Sequence, residues 1–154
     1  MSEVKLIAIC HSVALACALG VGLISTAKAD TWIDVHGLSK HSQSTYRDKG
    51  VTREFNETNL GLGAEVPIAR NFSLILGGYR NSYYRTSLYA GMDIHTNPHA
   101  LTGVGVMTGI ISGYDETPVL ALPYYRIGNE HVRVKFGVIP GKIQVVTMTL
   151  GFRF

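Results

Sequence analysis

The sequence predicts one all-β domain, an eight-stranded antiparallel transmembrane outer-membrane β-barrel. Three observations predict this fold: an apolar leader, alternation of apolar and polar residues along most of the remaining chain, and an aromatic residue, Phe154, at the end of the last alternating segment. Outer-membrane barrels commonly end on an aromatic residue. Segments of about 9–10 residues also suit strands that cross a bilayer at a tilt.

The leader, residues 1–29, is predicted to be a cleaved secretory signal. Lys5 supplies a positive start, residues 6–26 are mostly apolar, and Ala27-Lys28-Ala29 places small residues where a signal peptidase acts. A retained membrane helix is the alternative, since about 20 apolar residues can cross a bilayer. The signal is favoured because no basic stop-transfer cluster follows the apolar run.

Residues 30–154 are predicted to form a single domain. Both cysteines, Cys10 and Cys17, fall in the leader, so this domain would have no thiol. Without the leader the chain carries 12 basic and 10 acidic residues, a net charge near +2. That balance gives no indication of nucleic-acid binding.

Eight alternating segments account for the predicted strands. Alternation is clearest in the second, seventh and eighth of them, where one face is aliphatic or aromatic and the other carries glycine, threonine or charge. The segments lie near 31–39, 59–66, 72–79, 86–94, 101–112, 118–127, 131–138 and 145–154.

Two kinds of barrel are compatible with this alternation of apolar and polar residues. A soluble barrel buries its apolar face, whereas a membrane barrel turns that face to lipid and keeps polar groups in the lumen. Export, strand length and the terminal aromatic favour the membrane version. Its lumen would be lined by the charged side chains of Glu65, Arg133, Lys135 and Arg153, where opposite charges can pair.

An even strand number places both termini in the periplasm. The extracellular loops would then be 40–56, 80–85, 113–117 and 140–144. The pair Asn81-Ser82 would lie on the outer side of the membrane.

Several short segments follow one another in a characteristic order along the chain. They are Val35-His36, Phe55-Asn56-Glu57, Gly61-Leu62-Gly63, Tyr79-Arg80-Asn81-Ser82-Tyr83, Pro118 to Pro123 and Ile139-Pro140-Gly141. In order and placement they resemble the outer-membrane lipid A palmitoyltransferases, eight-stranded barrels that move a palmitoyl chain from a phospholipid to lipid A. The resemblance covers nearly the whole chain after the leader.

The resemblance implies a function and its partners. We expect an acyltransferase in the outer membrane of a Gram-negative cell, with a phospholipid as acyl donor, lipid A as acceptor and no cofactor. We further expect a monomer that binds no nucleic acid. Two positions depart from the family: Asn81 stands where the family has aspartate, and Asp93 lies close to the family's glycine floor beneath the acyl chain.

Three residues are the candidate catalytic group. His36 is the predicted general base. It stands two residues after Asp34, so alternation along the strand places both side chains in the lumen. Ser82 is either a nucleophile or a hydroxyl that positions substrate, and Asn81 would orient His36 or donate to the oxyanion. The alternatives are a luminal histidine bonded to a neighbour such as Asp34, and an Asn-Ser pair that only makes a turn.

Four further residues are candidate lipid contacts. Arg80 and Arg85 would bind lipid A phosphates, because guanidinium groups recognise phosphate in a bidentate way; their alternative is ordinary loop charge. Pro123 and Pro140 lack backbone donors and would open a lateral gap for a lipid tail, as the family is thought to have. The alternative is that both prolines only end strands.

No metal site is predicted, because His95 and His99 flank a turn without a partner cluster at metal spacing. The rival class is a non-enzymatic outer-membrane barrel that acts through its extracellular loops in adhesion, resistance or envelope modification. A third interpretation is an exported soluble barrel that binds an apolar ligand.

Overall fold

The computed structural model describes residues 30–97, 100–114, 119–140 and 143–154. The predicted signal, residues 1–29, lies outside the described residues. Ten strands are described: β1 (Trp32–His41), β2 (Thr45–Asp48), β3 (Val51–Glu54), β4 (Thr58–Ala69), β5 (Phe72–Arg80), β6 (Thr86–His95), β7 (Thr102–Ile111), β8 (Val119–Gly128), β9 (Val132–Ile139) and β10 (Val145–Arg153).

Eight of these strands close a barrel in the order β1-β10-β9-β8-β7-β6-β5-β4, and every neighbouring pair is antiparallel. The eight strands predicted from alternation are therefore confirmed within a few residues at their ends. The pair β2-β3 forms a separate hairpin inside the predicted 40–56 loop. We call the barrel end that carries this hairpin the loop end, and the end that carries residues 30 and 154 the terminal end.

The outer surface of the barrel is apolar. Side chains such as Leu60, Leu62 and Ile110 are more than half exposed, whereas their chain neighbours turn inward. Exposed aliphatic side chains on most strands would be costly in water and suit a hydrocarbon environment. The described residues form no helix of the length and apolar character needed to cross a membrane, a finding that concerns helices alone.

The lumen of the terminal half is filled by a network of buried ion pairs. The Lys135 ammonium lies 2.6 Å from a Glu65 oxygen and 2.7 Å from an Asp93 oxygen. The Arg133 guanidinium bonds Glu65 and also donates to Asp34 over 3.2 Å. These five residues, here called the luminal charge cluster, are at most 3% exposed, so each charge depends on its partners.

One detail of the predicted lumen is corrected by the structure: Arg153 does not join the luminal charge cluster, because it lies at the strand end and pairs with Asp30 over 3.4 Å. The neighbour named in the non-catalytic alternative for His36, Asp34, bonds Arg133, and the His36 ring contacts the hydroxyls of Tyr89 and Thr149.

Strand β1 contains a β-bulge that changes which residues face inward. Its ladders with both β10 and β4 shift register between His36 and Leu38. Strict alternation would continue from His36 to Leu38 and Lys40 on the inner face. Instead Leu38 and Lys40 are exposed, while Ser39 and His41 are buried.

The ladder between β8 and β9 is incomplete at the loop end. Its pairing runs from Gly128 and Arg133 only as far as Tyr124 and Gly137. Residues 119–123 of β8 remain paired with β7 on their other side. The predicted interruption thus begins at Pro123, which has no backbone N–H to offer a neighbour.

Replacing Lys135 by methionine should destabilise the barrel by about 3–5 kcal/mol, because the substitution removes the lysine cation that lies 2.7 Å from the buried Asp93 carboxylate and leaves the cluster with one cation for three carboxylates. The measurement is urea unfolding in phospholipid vesicles, followed by the fluorescence of Trp32, over which the Arg133 guanidinium lies at 3.9 Å. The matched control is Lys40→Met, which breaks an exposed ion pair with Glu57 and should change stability little. Equal losses in the two variants would contradict the structural role given to the cluster.

Candidate functional site

The loop half of the barrel encloses a cavity of about 250 Å³. We call it the luminal cavity. Most of its wall is apolar or aromatic, including Met107, Ile111, Leu120 and Leu122. This volume lies slightly below the roughly 300–1,000 Å³ of typical ligand pockets, so it suits one alkyl chain better than a whole lipid.

Two of the candidate catalytic residues, His36 and Ser82, line this cavity. His36 enters from the middle of β1, and Ser82 comes from the turn between β5 and β6. The fold therefore brings two residues that are far apart in sequence to one apolar chamber. The catalytic site predicted from the sequence requires that these two residues share a cavity, and they do.

Both ring nitrogens of His36 have a partner. Nε2 lies 2.8 Å from the Tyr89 hydroxyl, and Nδ1 lies 3.3 Å from the Thr149 hydroxyl. When the proton sits on Nδ1, the ring donates to Thr149 and accepts from Tyr89. These two hydroxyls hold the imidazole plane, and the Tyr89 hydroxyl lies between its basic nitrogen and the rest of the cavity lining.

Glycines make room for the Tyr89 hydroxyl. A Cβ atom on Gly63 would overlap that hydroxyl, and one on Gly77 would come within 2.6 Å of it. Gly63 faces Gly77 across the β4-β5 ladder. The inward glycines seen in the sequence therefore set the position of Tyr89 and, through it, of His36.

Asn81 is fully buried and holds the β5-β6 turn together. Its Oδ1 accepts from the backbone N–H groups of Tyr83 and Arg85, each at 2.9 Å. Its Nδ2 donates to the Gly113 carbonyl at 2.9 Å and to the Ser87 hydroxyl at 3.0 Å. Among the described residues it makes no hydrogen bond to His36, so the orienting role expected for it is not what the geometry provides.

The turn that carries Ser82 is tied to the start of β4. Asn56 donates its backbone N–H to the Ser82 carbonyl at 2.9 Å and its side-chain amide to the Asn81 carbonyl at 3.1 Å. Ser82 itself is only 9% exposed. Its hydroxyl is therefore carried by a fixed turn at the cavity rim.

The four candidate lipid contacts lie around the loop end. Arg80 and Arg85 are exposed, and the Arg80 guanidinium lies 5.7 Å from the centre of the Tyr84 ring. Pro123 is exposed at the point where the β8-β9 ladder stops, and Pro140 directly follows β9. Leu122 and Ile139, one on each side of this opening, both line the luminal cavity.

An aromatic cap over the cavity was missed by the sequence analysis. His41 stacks on Phe55 with ring centres 4.2 Å apart, and Tyr46 of the hairpin packs on Phe55 at 4.9 Å. The row continues through Tyr83 to Tyr114, whose pKa is raised by burial. Two aromatic residues in the polar 40–56 loop, Tyr46 and Phe55, were the sequence signals that could have indicated this cap.

The luminal charge cluster lies on the terminal side of His36, below the residues that line the cavity. Asp93, expected to be costly unless paired, accepts from Lys135 at 2.7 Å and from the Tyr124 hydroxyl at 2.7 Å. Ligand atoms of Glu65, Asp93 and His95 lie within 4.8 Å of one another, but the Lys135 ammonium already bonds both carboxylates. A metal ion bound there would have to displace the Lys135 ammonium or lie close to its positive charge.

Outside the barrel wall, Lys40 donates to Glu57 at 2.9 Å and lowers the pKa of this carboxyl group. The pair borders a groove between β1, β4, β9 and β10. At this position, near the loop end of β1 and β4, the apolar outer surface is followed by charged side chains.

Comparison with known proteins supports the fold. Neither protein-family models nor curated proteins match this chain. A solved structure described as "De novo design of transmembrane beta-barrels" matches 82% of this chain and 98% of its own with a TM-score of 0.55 and 13% identity. At this identity the likeness concerns the fold alone, and the chain is an eight-stranded antiparallel barrel with transmembrane β-strands.

Substituting aspartate for Asn81 should destabilise the barrel by about 1–3 kcal/mol, because a carboxylate oxygen would replace the donor that bonds the Gly113 carbonyl. The measurement is the unfolding free energy in urea. Ser82→Ala leaves this bond intact and serves as the control in the same turn. An aspartate variant as stable as the parent would contradict the bracing role of Asn81.

Proposed function

We propose that this protein is an outer-membrane acyltransferase that moves an acyl chain from a phospholipid to a hydroxyl of lipid A. The observation that carries the proposal is the luminal cavity: it is apolar, it contains both His36 and Ser82, and it reaches the β8-β9 opening. An apolar chamber with a few placed polar groups is the usual form of a site for a lipid chain.

The route for the acyl chain is the opening between β8 and β9. A phospholipid in the surrounding leaflet would pass its tail between Leu122 and Ile139 into the cavity. The luminal charge cluster would stop the tail, because an alkyl chain gains nothing from displacing paired charges. The reaction requires the donor ester to lie in this cavity, within reach of His36 and Ser82.

The proposed reaction is a direct or serine-assisted acyl transfer. The acceptor hydroxyl oxygen bonds to the acyl carbon, and the ester bond between that carbon and the donor glycerol oxygen breaks. Because the Tyr89 hydroxyl bonds His36 Nε2, the acceptor proton passes through this hydroxyl to His36 and returns by the same route to the departing glycerol oxygen. Ser82 donates to the carbonyl oxygen as negative charge develops there, or attacks first as the nucleophile.

Asn81 has a positioning role in this scheme. Its four hydrogen bonds hold the turn that presents Ser82. Arg80 and Arg85, exposed beside that turn, would meet the phosphates of lipid A.

A second function is favoured by one observation, the exposed hairpin β2-β3 at the loop end. It would give a non-enzymatic barrel a surface for adhesion or envelope modification. The two functions differ in whether lipid A changes mass.

Expression in a Gram-negative host that lacks its own palmitoyltransferase should add one acyl chain to lipid A, which mass spectrometry detects. His36→Ala should reduce the product about 10²–10⁴-fold, the usual contribution of a general base, and Ser82→Ala should also reduce it. His131→Ala and Ser44→Ala, at exposed positions, are the controls. Unchanged lipid A mass with folded protein in the membrane would refute the acyltransferase function; product that persists in His36→Ala would refute the site.

The double variant Pro123→Ala, Pro140→Ala should slow the transfer, because restored N–H groups would let β8 and β9 pair further and narrow the opening. The rate of lipid A acylation measures this effect. Pro67→Ala, within β4 on the opposite side of the barrel, is the control. A rate unchanged in the double variant would show that lipid does not pass between β8 and β9.

A further inference from the structure

Three buried polar atoms of the luminal cavity wall have no hydrogen-bond partner among the described residues. They are the Ser39 hydroxyl oxygen, His41 Nδ1 and Asn59 Oδ1. Their residues are 6%, 7% and 7% exposed, and all three residues line the cavity. Buried polar groups are nearly always satisfied, so three unsatisfied ones around a single cavity indicate that a ligand supplies the partners.

The β-bulge in β1 brings these residues together. Because the register shifts after His36, Ser39 and His41 both turn inward. Asn59 comes from the neighbouring strand β4, one inward position above the Gly61 that pairs with His36. The three residues therefore lie on the loop-end side of His36.

The orientation of Asn59 is fixed by its own donors. Its side-chain amide nitrogen bonds the Arg80 carbonyl at 3.0 Å and the Asn56 carbonyl at 3.4 Å. Since carbonyls accept only, the nitrogen must lie on that side and the oxygen must lie on the other. Asn59 Oδ1 is thus an acceptor that requires a donor from the ligand.

The three atoms select a hydroxyl-bearing ligand. A fully ionised phosphate offers no donor and would leave Asn59 Oδ1 unsatisfied, whereas an ammonium offers no acceptor to the Ser39 hydroxyl. A sugar hydroxyl donates and accepts at once. We propose that Ser39, His41 and Asn59 form a subsite that binds the sugar hydroxyls of the acyl acceptor.

This inference rests on the proposed function, since it assigns the subsite to the acceptor. The subsite would take a hydroxyl edge of the acceptor sugar at the β1-β4 wall of the cavity, beside the aromatic cap to which His41 belongs. The donor tail reaches the cavity from the β8-β9 side. The donor tail and the acceptor sugar would thus contact different walls of the luminal cavity.

The test is nitrogen NMR of the protein with ¹⁵N-labelled histidine in dodecylphosphocholine micelles, to which dodecyl maltoside is added stepwise. The two detergents have the same alkyl chain, but only the maltoside carries hydroxyls. We expect a saturable shift of the His41 Nδ1 resonance. Ser39→Ala should weaken the apparent affinity roughly two- to tenfold, the value of one hydrogen bond.

Matched controls exist in the terminal half of the barrel. Ser73 Oγ and His95 Nδ1 are also buried without a hydrogen-bond partner in the described part of the chain, but neither residue lines the cavity. Ser73→Ala should therefore leave the titration unchanged, and the His95 resonance should not follow the maltoside. The absence of a saturable His41 shift, or equal weakening in Ser39→Ala and Ser73→Ala, would overturn the subsite.

The outcomes for subsite and function are distinguishable. Maltoside binding at His41 in a protein that leaves lipid A unchanged would retain the subsite and refute the acyl transfer. Acyl transfer with an equal rate and acceptor KM in Ser39→Ala would retain the function and refute the subsite. A raised acceptor KM with unchanged kcat is the result expected for a binding role.

Discussion

The pairing of five buried charges inside the barrel is the interaction on which the rest of the structure depends. Two cations and three carboxylates lie at most 3% exposed in the terminal half of the lumen. Such groups are tolerated only when paired, so the strands that carry them must keep their register. The cluster closes one half of the lumen and leaves an apolar chamber above it. The barrel is thereby divided into a structural half and a half that can bind a ligand.

Three local features give the chamber its chemistry. The bulge in β1 turns Ser39 and His41 inward above His36. Paired glycines on β4 and β5 admit the Tyr89 hydroxyl that holds His36. The short β8-β9 ladder leaves one wall open at Pro123. A closed barrel with regular, complete ladders would have neither the bulge nor the opening, so two of these features are departures from regularity that the proposed function uses.

Much of the fold was predictable because a strand shows its two faces directly in sequence. The eight strands, the inward charges Glu65 and Lys135 and the interruption near Pro123 all follow from alternation and from proline chemistry. The bulge after His36 was not predicted, although the apolar Leu38 and the polar Ser39 fit an apolar outer face and a polar lumen only if the alternation shifts after His36. The role of Asn81 depends on the carbonyl of Gly113, a contact across 32 positions that a sequence pattern does not contain.

The central claim is that an acyl chain lies inside the loop half of the barrel, above the paired charges. The most direct measurement is photo-crosslinking with a phospholipid that carries a diazirine at the end of its acyl chain, followed by mass-spectrometric mapping of the labelled residues. The account predicts labels on the luminal side chains of Met107, Ile111 and Leu120. Labels confined to outward side chains such as Leu60, Leu88 and Ile110 would contradict it.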